Sequence, residues 1–239
     1  MSAGTAALMP KDYTDAARFV ACVARCPKEL LLRWAWFGCF TPLMQAHGRF
    51  EQEAWTYDAE TLRLYREYVL LHERLVPYVR AAAATARRSG LPIIRPLLLT
   101  DPADQRGWAI ADAYGYGPSL WVAPVLEADA REREVDLPRG DWLDFWTGAE
   151  IAGGGDVVAS APLGRIPVWV RRGALIVTYP AEHVAAGMGG TPESERPLEA
   201  TLWGDPPGGR ALARLADGTA VRWTRGEWAA DRDVTCSVR

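Results

Sequence analysis

Acid–base, nucleophilic or metal chemistry in this chain would have to come from three histidines, four cysteines and thirty carboxylates. His47 closes the stretch "RWAWFGCFTPLMQAHG", Arg33 to Gly48. A histidine after an apolar, aromatic run either packs in a core or lines a pocket. His72 falls on an apolar helical stripe, so a packed core histidine is expected. His183 falls among glycines and prolines, so a solvated one is expected. Cys22 and Cys26 share a helix face if that segment is helical, but no further Cys or His stands at zinc spacing. With Cys39 and Cys236 they read as ordinary buried thiols of a reducing, cytoplasmic compartment. Asp12 and Asp15 sit at a polar helix start and read as caps. Asp141 and Asp144 in "DWLDFW" are three apart, which in a strand points them to opposite faces. "GAEIAGGGD" has neither the strand-to-helix context nor the lysine of a phosphate loop and reads as a turn. No Ser-His-Asp or Cys-His arrangement emerges. No metal or other cofactor is expected.

Composition narrows the class. The chain has 239 residues, enough for a large domain or two to three small ones. Apolar residues make up 49% and charged residues 24%, as in ordinary globular proteins. A net charge of −3 gives no reason to expect nucleic acid as a partner. Lys11 and Lys28 are the only lysines, a habit of GC-rich coding. The eleven tryptophans are an excess that suits sugar stacking or core filling. No run of 18 apolar residues suggests a membrane span, and no basic-then-apolar leader suggests secretion.

The elements that must position these residues divide in two. "DYTDAARFVACVAR" reads as a short helix ending before Pro27. Pro27 suits a first helical position and Glu29 the first turn of a second helix, which Pro42 ends. "PLMQAH" reads as a short buried strand. A long helix follows, capped by Thr56 or Asp58, with Leu62, Tyr65, Val69, His72, Val76 and Val79 on one face. Pro77 should kink it, and Arg87, Arg88 and Gly90 should close it. After Leu91 come short strands: "PIIRPLLL", "SLWVAPVL", "EREVDLP", "GDWLDFW", "DVVASAP" and "IPVWVRRGALIV". Their spacing predicts an antiparallel β-sandwich, with Trp121, Trp142, Trp146 and Trp169 chiefly core. "REREVD" reads as a solvated strand edge. Residues 181–197 read as a flexible linker, followed by a few strands with Asp217-Gly218 as a hairpin turn. The fold class is thus α/β followed by all-β.

Four stretches, in this order, resemble the C-terminal third of glycoside hydrolase family 31, the α-glucosidase and α-xylosidase family. "PKELLLRWAWFGCFTPLMQAHG" is similar to a late barrel helix, the eighth strand and the pocket histidine. "LHERLVPYVRAAAATARRSGLPIIRPLLL" is similar to the last barrel helix leading into the sandwich. "AYGYGPSLWVAPVLEADAREREVDLPRGDWLDFWTG" and "APLGRIPVWVRRGALI" are similar to the proximal sandwich. The resemblance runs from about Pro27 to about Val177. It implies the last helices and strand of a (β/α)8 TIM barrel in residues 1–92, a proximal β-sandwich in 93–180, and a linker with a reduced distal β domain in 181–239.

The same resemblance implies retaining hydrolysis of α-glycosides by two carboxyl groups about 5 Å apart. His47 would bond hydroxyls of the sugar in the −1 subsite. The family's nucleophile lies on a W-x-D-x-N-E-like strand end, and this chain contains no asparagine. No catalytic residue is therefore assigned, and the chain is expected to be inactive alone. Its expected partners are an α-glycoside and a polypeptide carrying the rest of the barrel. Gln45 stands where the family usually has Arg, and Trp36 where Gln is common. A carbohydrate-binding sandwich, on the strength of the tryptophans, and a functionless remnant are the rival readings.

Overall fold

A computed structural model of the protein describes residues 26–46, 53–187 and 191–239. The expected first helix, with Asp12, Asp15 and Cys22, lies outside them, as does His47.

Helix α1 spans Lys28–Cys39. Pro27 sits one position earlier than expected, at the N-cap, where its missing N–H costs nothing. Asp58 caps α2 (Ala59–Arg74), its carboxylate accepting the Thr61 amide at 2.7 Å. Lys28 bonds Asp58 and Glu60 and so ties the starts of α1 and α2 together. The expected kink is a full break. The chain turns at Leu75, and α3 (Val76–Ser89) starts anew with Pro77 as its second residue. Gly90 then closes α3 in the left-handed conformation.

The helical period was read correctly but its phase was not. The buried stripe runs Thr61, Leu64, Tyr68, Leu75, Tyr78 and Ala82, while Leu62 is 45% exposed. The apolar arc is broader than one stripe, so its centre is set by what the helix packs on. His72 is half-buried beside that stripe. Residues 43–46, where a strand was expected, have no regular structure, and Leu43 is 77% exposed. A strand needs a ladder partner, and no described strand lies alongside.

Short strands follow, as expected. They are β1 (Ile94–Arg95), β2 (Tyr114–Tyr116), β3 (Leu120–Val122), β4 (Glu132–Asp136), β5 (Asp141–Asp144), β6 (Glu150–Ala152), β7 (Asp156–Ser160), β8 (Val168–Arg171) and β9 (Ala174–Thr178). "PIIRPLLL" yields only the two-residue β1, because Pro96 starts a helical turn, α4 (Leu97–Thr100). An antiparallel six-stranded sheet has the order β1-β2-β3-β8-β5-β6, and β4 pairs with β7 as a separate ribbon. The helices cover one face of the sheet, against Tyr116, Leu120, Val122, Val168 and Val170. On the other face Trp121, Trp142 and Trp169 pack with Val135, Leu137 and Ala159 of the ribbon. Both faces are covered, so strands such as Leu120–Val122 are apolar at every position.

The segment read as a linker instead carries a helix, α5 (Ala181–Ala186), which packs against α2. His183, expected in solvent, is half-buried there, and its Nε2 is buried without a hydrogen-bond partner. The last strands are β10 (Glu199–Trp203), β11 (Arg210–Arg214), β12 (Ala220–Thr224), β13 (Glu227–Ala230) and β14 (Thr235–Val238). They form the sheets β9-β10-β14 and β11-β12-β13. Asp217 and Gly218 make the β11–β12 turn, with Gly218 at φ 95°.

Candidate functional site

The course of the chain toward His47 is set where it leaves α1. That chain leaves α1 at Cys39 and passes Phe40, Thr41 and Pro42. An α-helix ends with carbonyls that have no intrahelical donor. Here three successive carbonyls are each met by a side chain from another element. His72 of α2 puts Nδ1 3.0 Å from the Cys39 oxygen. A carbonyl can only accept, so the proton sits on Nδ1. Tyr114 of β2 donates its phenol to the Phe40 oxygen at 3.0 Å, and Tyr116 donates to the Thr41 oxygen at 3.0 Å. Thr41 turns inward as well, its hydroxyl 2.8 Å from the carbonyls of both Gly38 and Leu43.

The sequence "AYGYGPS" builds this clamp. Tyr114 and Tyr116 are two apart and therefore share one face of β2. Gly117 stands at φ +62°, and a Cβ there would lie 2.5 Å from the Tyr78 hydroxyl. That hydroxyl donates to the Tyr116 oxygen at 2.6 Å and accepts the Ser119 amide at 3.0 Å. Burial pushes the pKa values of Tyr78, Tyr114 and Tyr116 up, so each phenol keeps the proton it donates. Burial likewise raises that of the Cys39 thiol, leaving it inert.

A second fixture holds the start of α1. The buried guanidinium of Arg33 donates to the oxygens of Ala130, Ala161, Pro162 and Arg165, and pairs with Glu29 one turn before it. Glu29 in turn accepts the Asp129 amide and pairs with Arg131. Burial works to raise the pKa of this carboxyl, but the Asp129 amide, Arg131 and Arg33 together hold it below its usual range. The two fixtures fix the direction in which the chain leaves α1. They supply neither nucleophile nor general acid.

His47 and its immediate neighbours lie outside the described residues. Gln45 is exposed, and Trp36 is buried against Tyr68 with ring centroids 3.6 Å apart. Asp144 is held in a turn by the amides of Trp146 and Thr147, while Asp141 is exposed. Among the described residues no group of three or more His, Cys, Asp and Glu side chains could hold a metal ion. The sequence reading missed Arg33, Tyr114 and Tyr116. Its available signal was the Tyr-x-Tyr spacing within an otherwise apolar strand.

Comparison with known proteins gives two adjoining matches. Residues 14–82 match the family model described as the Glycosyl hydrolases family 31 TIM-barrel domain. Residues 90–176 match the Glycosyl hydrolase family 31 C-terminal domain. The barrel match reaches back to residue 14, earlier than the resemblance starting near Pro27. The chain is 31% identical over 151 residues to Alpha-glucosidase 2 of Bacillus thermoamyloliquefaciens, covering 62% of this chain and 19% of that protein. It is 38% identical over 147 residues to the sulfoquinovosidase of Escherichia coli, covering 60% of this chain and 22% of that protein. The GH31 dextranase of Flavobacterium johnsoniae complexed with glucose superposes with a TM-score of 0.76 at 27% identity, covering 89% of this chain and 30% of that one. The chain thus spans about a fifth of the length of these two curated relatives.

Proposed function

From the premise that this chain belongs to glycoside hydrolase family 31, we propose that it forms the C-terminal share of a retaining α-glycosidase and does not turn over substrate alone. In that reading the nucleophile and the acid/base are carboxyl groups of barrel strands that these residues do not match. The chain contributes the clamped exit of α1, and through it the placement of His47 against the hydroxyls of the −1 sugar. Relatives named as an α-glucosidase, a sulfoquinovosidase and an α-xylosidase support the hydrolase class.

The observation that carries the proposal is the open apolar face of α1. Trp34 is 55% exposed and Phe37, one turn on, is also exposed. Exposed large apolar groups on a helix mark a surface meant to be covered. In a complete barrel, neighbouring strands and helices would cover it. The rival reading of sugar-stacking tryptophans on the sandwich has less support, since Trp121, Trp142 and Trp169 are core residues.

The test is hydrolysis of a panel of aryl α-glycosides by the folded chain, with and without a polypeptide carrying the missing barrel strands. Turnover only in the mixture is the expected result. Turnover by the chain alone would overturn the proposal, and so would silence in a mixture shown to have assembled.

A further inference from the structure

A cavity of about 680 Å³ lies between α2, the turn after β5 and the sheet β9-β10-β14. That volume suits a small-molecule ligand. Its floor is aromatic: Phe145 and Trp203 stack at 5.6 Å, and Phe145 meets Trp146 edge-on at 5.0 Å. Its wall carries two hydroxyls, Thr201 and Ser237, 3.3 Å apart on paired strands.

The side-chain charges around it do not balance. Both side-chain carboxylates of the lining already have a guanidinium: Glu67 pairs with Arg63 at 2.7 Å, and Glu199 with Arg74 at 3.3 Å. Arg165 and Arg239 also face the cavity, and among the described residues neither has a carboxylate partner. Each is instead laid near an indole, Arg165 5.8 Å from the Trp146 ring and Arg239 4.7 Å from the Trp203 ring. Arg239 also donates to the Trp146 carbonyl at 2.7 Å. Guanidiniums stacked in this way keep free N–H groups in a fixed plane, which suits a planar or tetrahedral anion.

We propose that this cavity binds a small sugar acid or sugar phosphate, with Arg165 and Arg239 taking the anionic group and Thr201 and Ser237 the ring hydroxyls. The site does not depend on glycosidase activity.

The experiment is calorimetric titration of the full chain with glucuronate, glucose 6-phosphate, glucose and inorganic phosphate, with tryptophan fluorescence read in parallel. At least one anionic sugar should bind tenfold or more tightly than both glucose and inorganic phosphate, and its affinity should fall as salt rises. Glucuronate alone would mark a carboxylate site, and glucose 6-phosphate alone a phosphate site. R165Q and R239Q should each weaken binding about tenfold, while R222Q, on β12, should leave it unchanged. R165Q leaves the Arg165 carbonyl free to accept from Arg33, so circular dichroism should show a folded protein. Equal binding of glucose and the anionic sugars, no binding by folded protein, or binding matched by inorganic phosphate would each overturn the proposal.

Discussion

The exit of α1 depends on single hydroxyl groups. Removing the Tyr116 phenol leaves the Thr41 carbonyl buried without a donor, and an unmet buried acceptor costs about 1–3 kcal/mol. Tyr116→Phe is therefore expected to destabilise the chain by about that amount in urea unfolding while keeping the ring packing. Glu29 gives a second handle at the same scale. Its folded pKa lies below its ordinary value near 4.5, so its contribution is present above that value and is lost as pH falls through the folded one. Stability measured from about pH 5 to pH 3 should fall, and Glu29→Gln should flatten that limb while lowering stability at pH 7.

At the scale of elements, ribbon β4–β7 carries its own conflict. Asp136 and Asp156 stand directly opposite in register. Burial first, and then the neighbouring Asp156, raise the pKa of the Asp136 carboxyl, with Arg106 opposing from 3.1 Å. A carboxyl raised in the folded state disfavours folding at neutral pH and less so as pH falls toward its folded pKa. Like charges opposite each other in a sheet cost a few tenths of a kcal/mol to about 1. Asp156→Asn should raise stability at pH 7 by about 0.5 kcal/mol, read as a higher urea midpoint at unchanged slope. Loss of stability would mean that Arg106 needs both carboxylates.

For the whole molecule, the open face of α1 separates folding from assembly. Trp34 is 55% exposed, so Trp34→Ser is expected to change the stability of the chain alone by no more than about 0.5 kcal/mol. The same substitution should weaken association with a barrel-bearing polypeptide at least tenfold, measured by sedimentation. A large loss of stability in the chain alone would mean that Trp34 already has its partners.

The sequence by itself determined what depends on local order. Asp58 and Gly90 cap their helices, Pro77 breaks one, and Asp217-Gly218 turns a hairpin, because each acts through its own backbone. The short, continuously apolar runs around Trp121 and Trp169 likewise announced strands packed inside a sandwich, since burial on both faces leaves strands apolar throughout. The four ordered stretches named the family for the same reason, as patterns along the chain. Tertiary structure decided what depends on distant partners. It set which face of α2 is buried, which carbonyls Tyr114 and Tyr116 meet 74 and 75 residues away, and that residues 181–186 form a packed helix. It also left residues 43–46 without strand structure, because a strand's hydrogen bonds belong to a neighbour and no described strand supplies them.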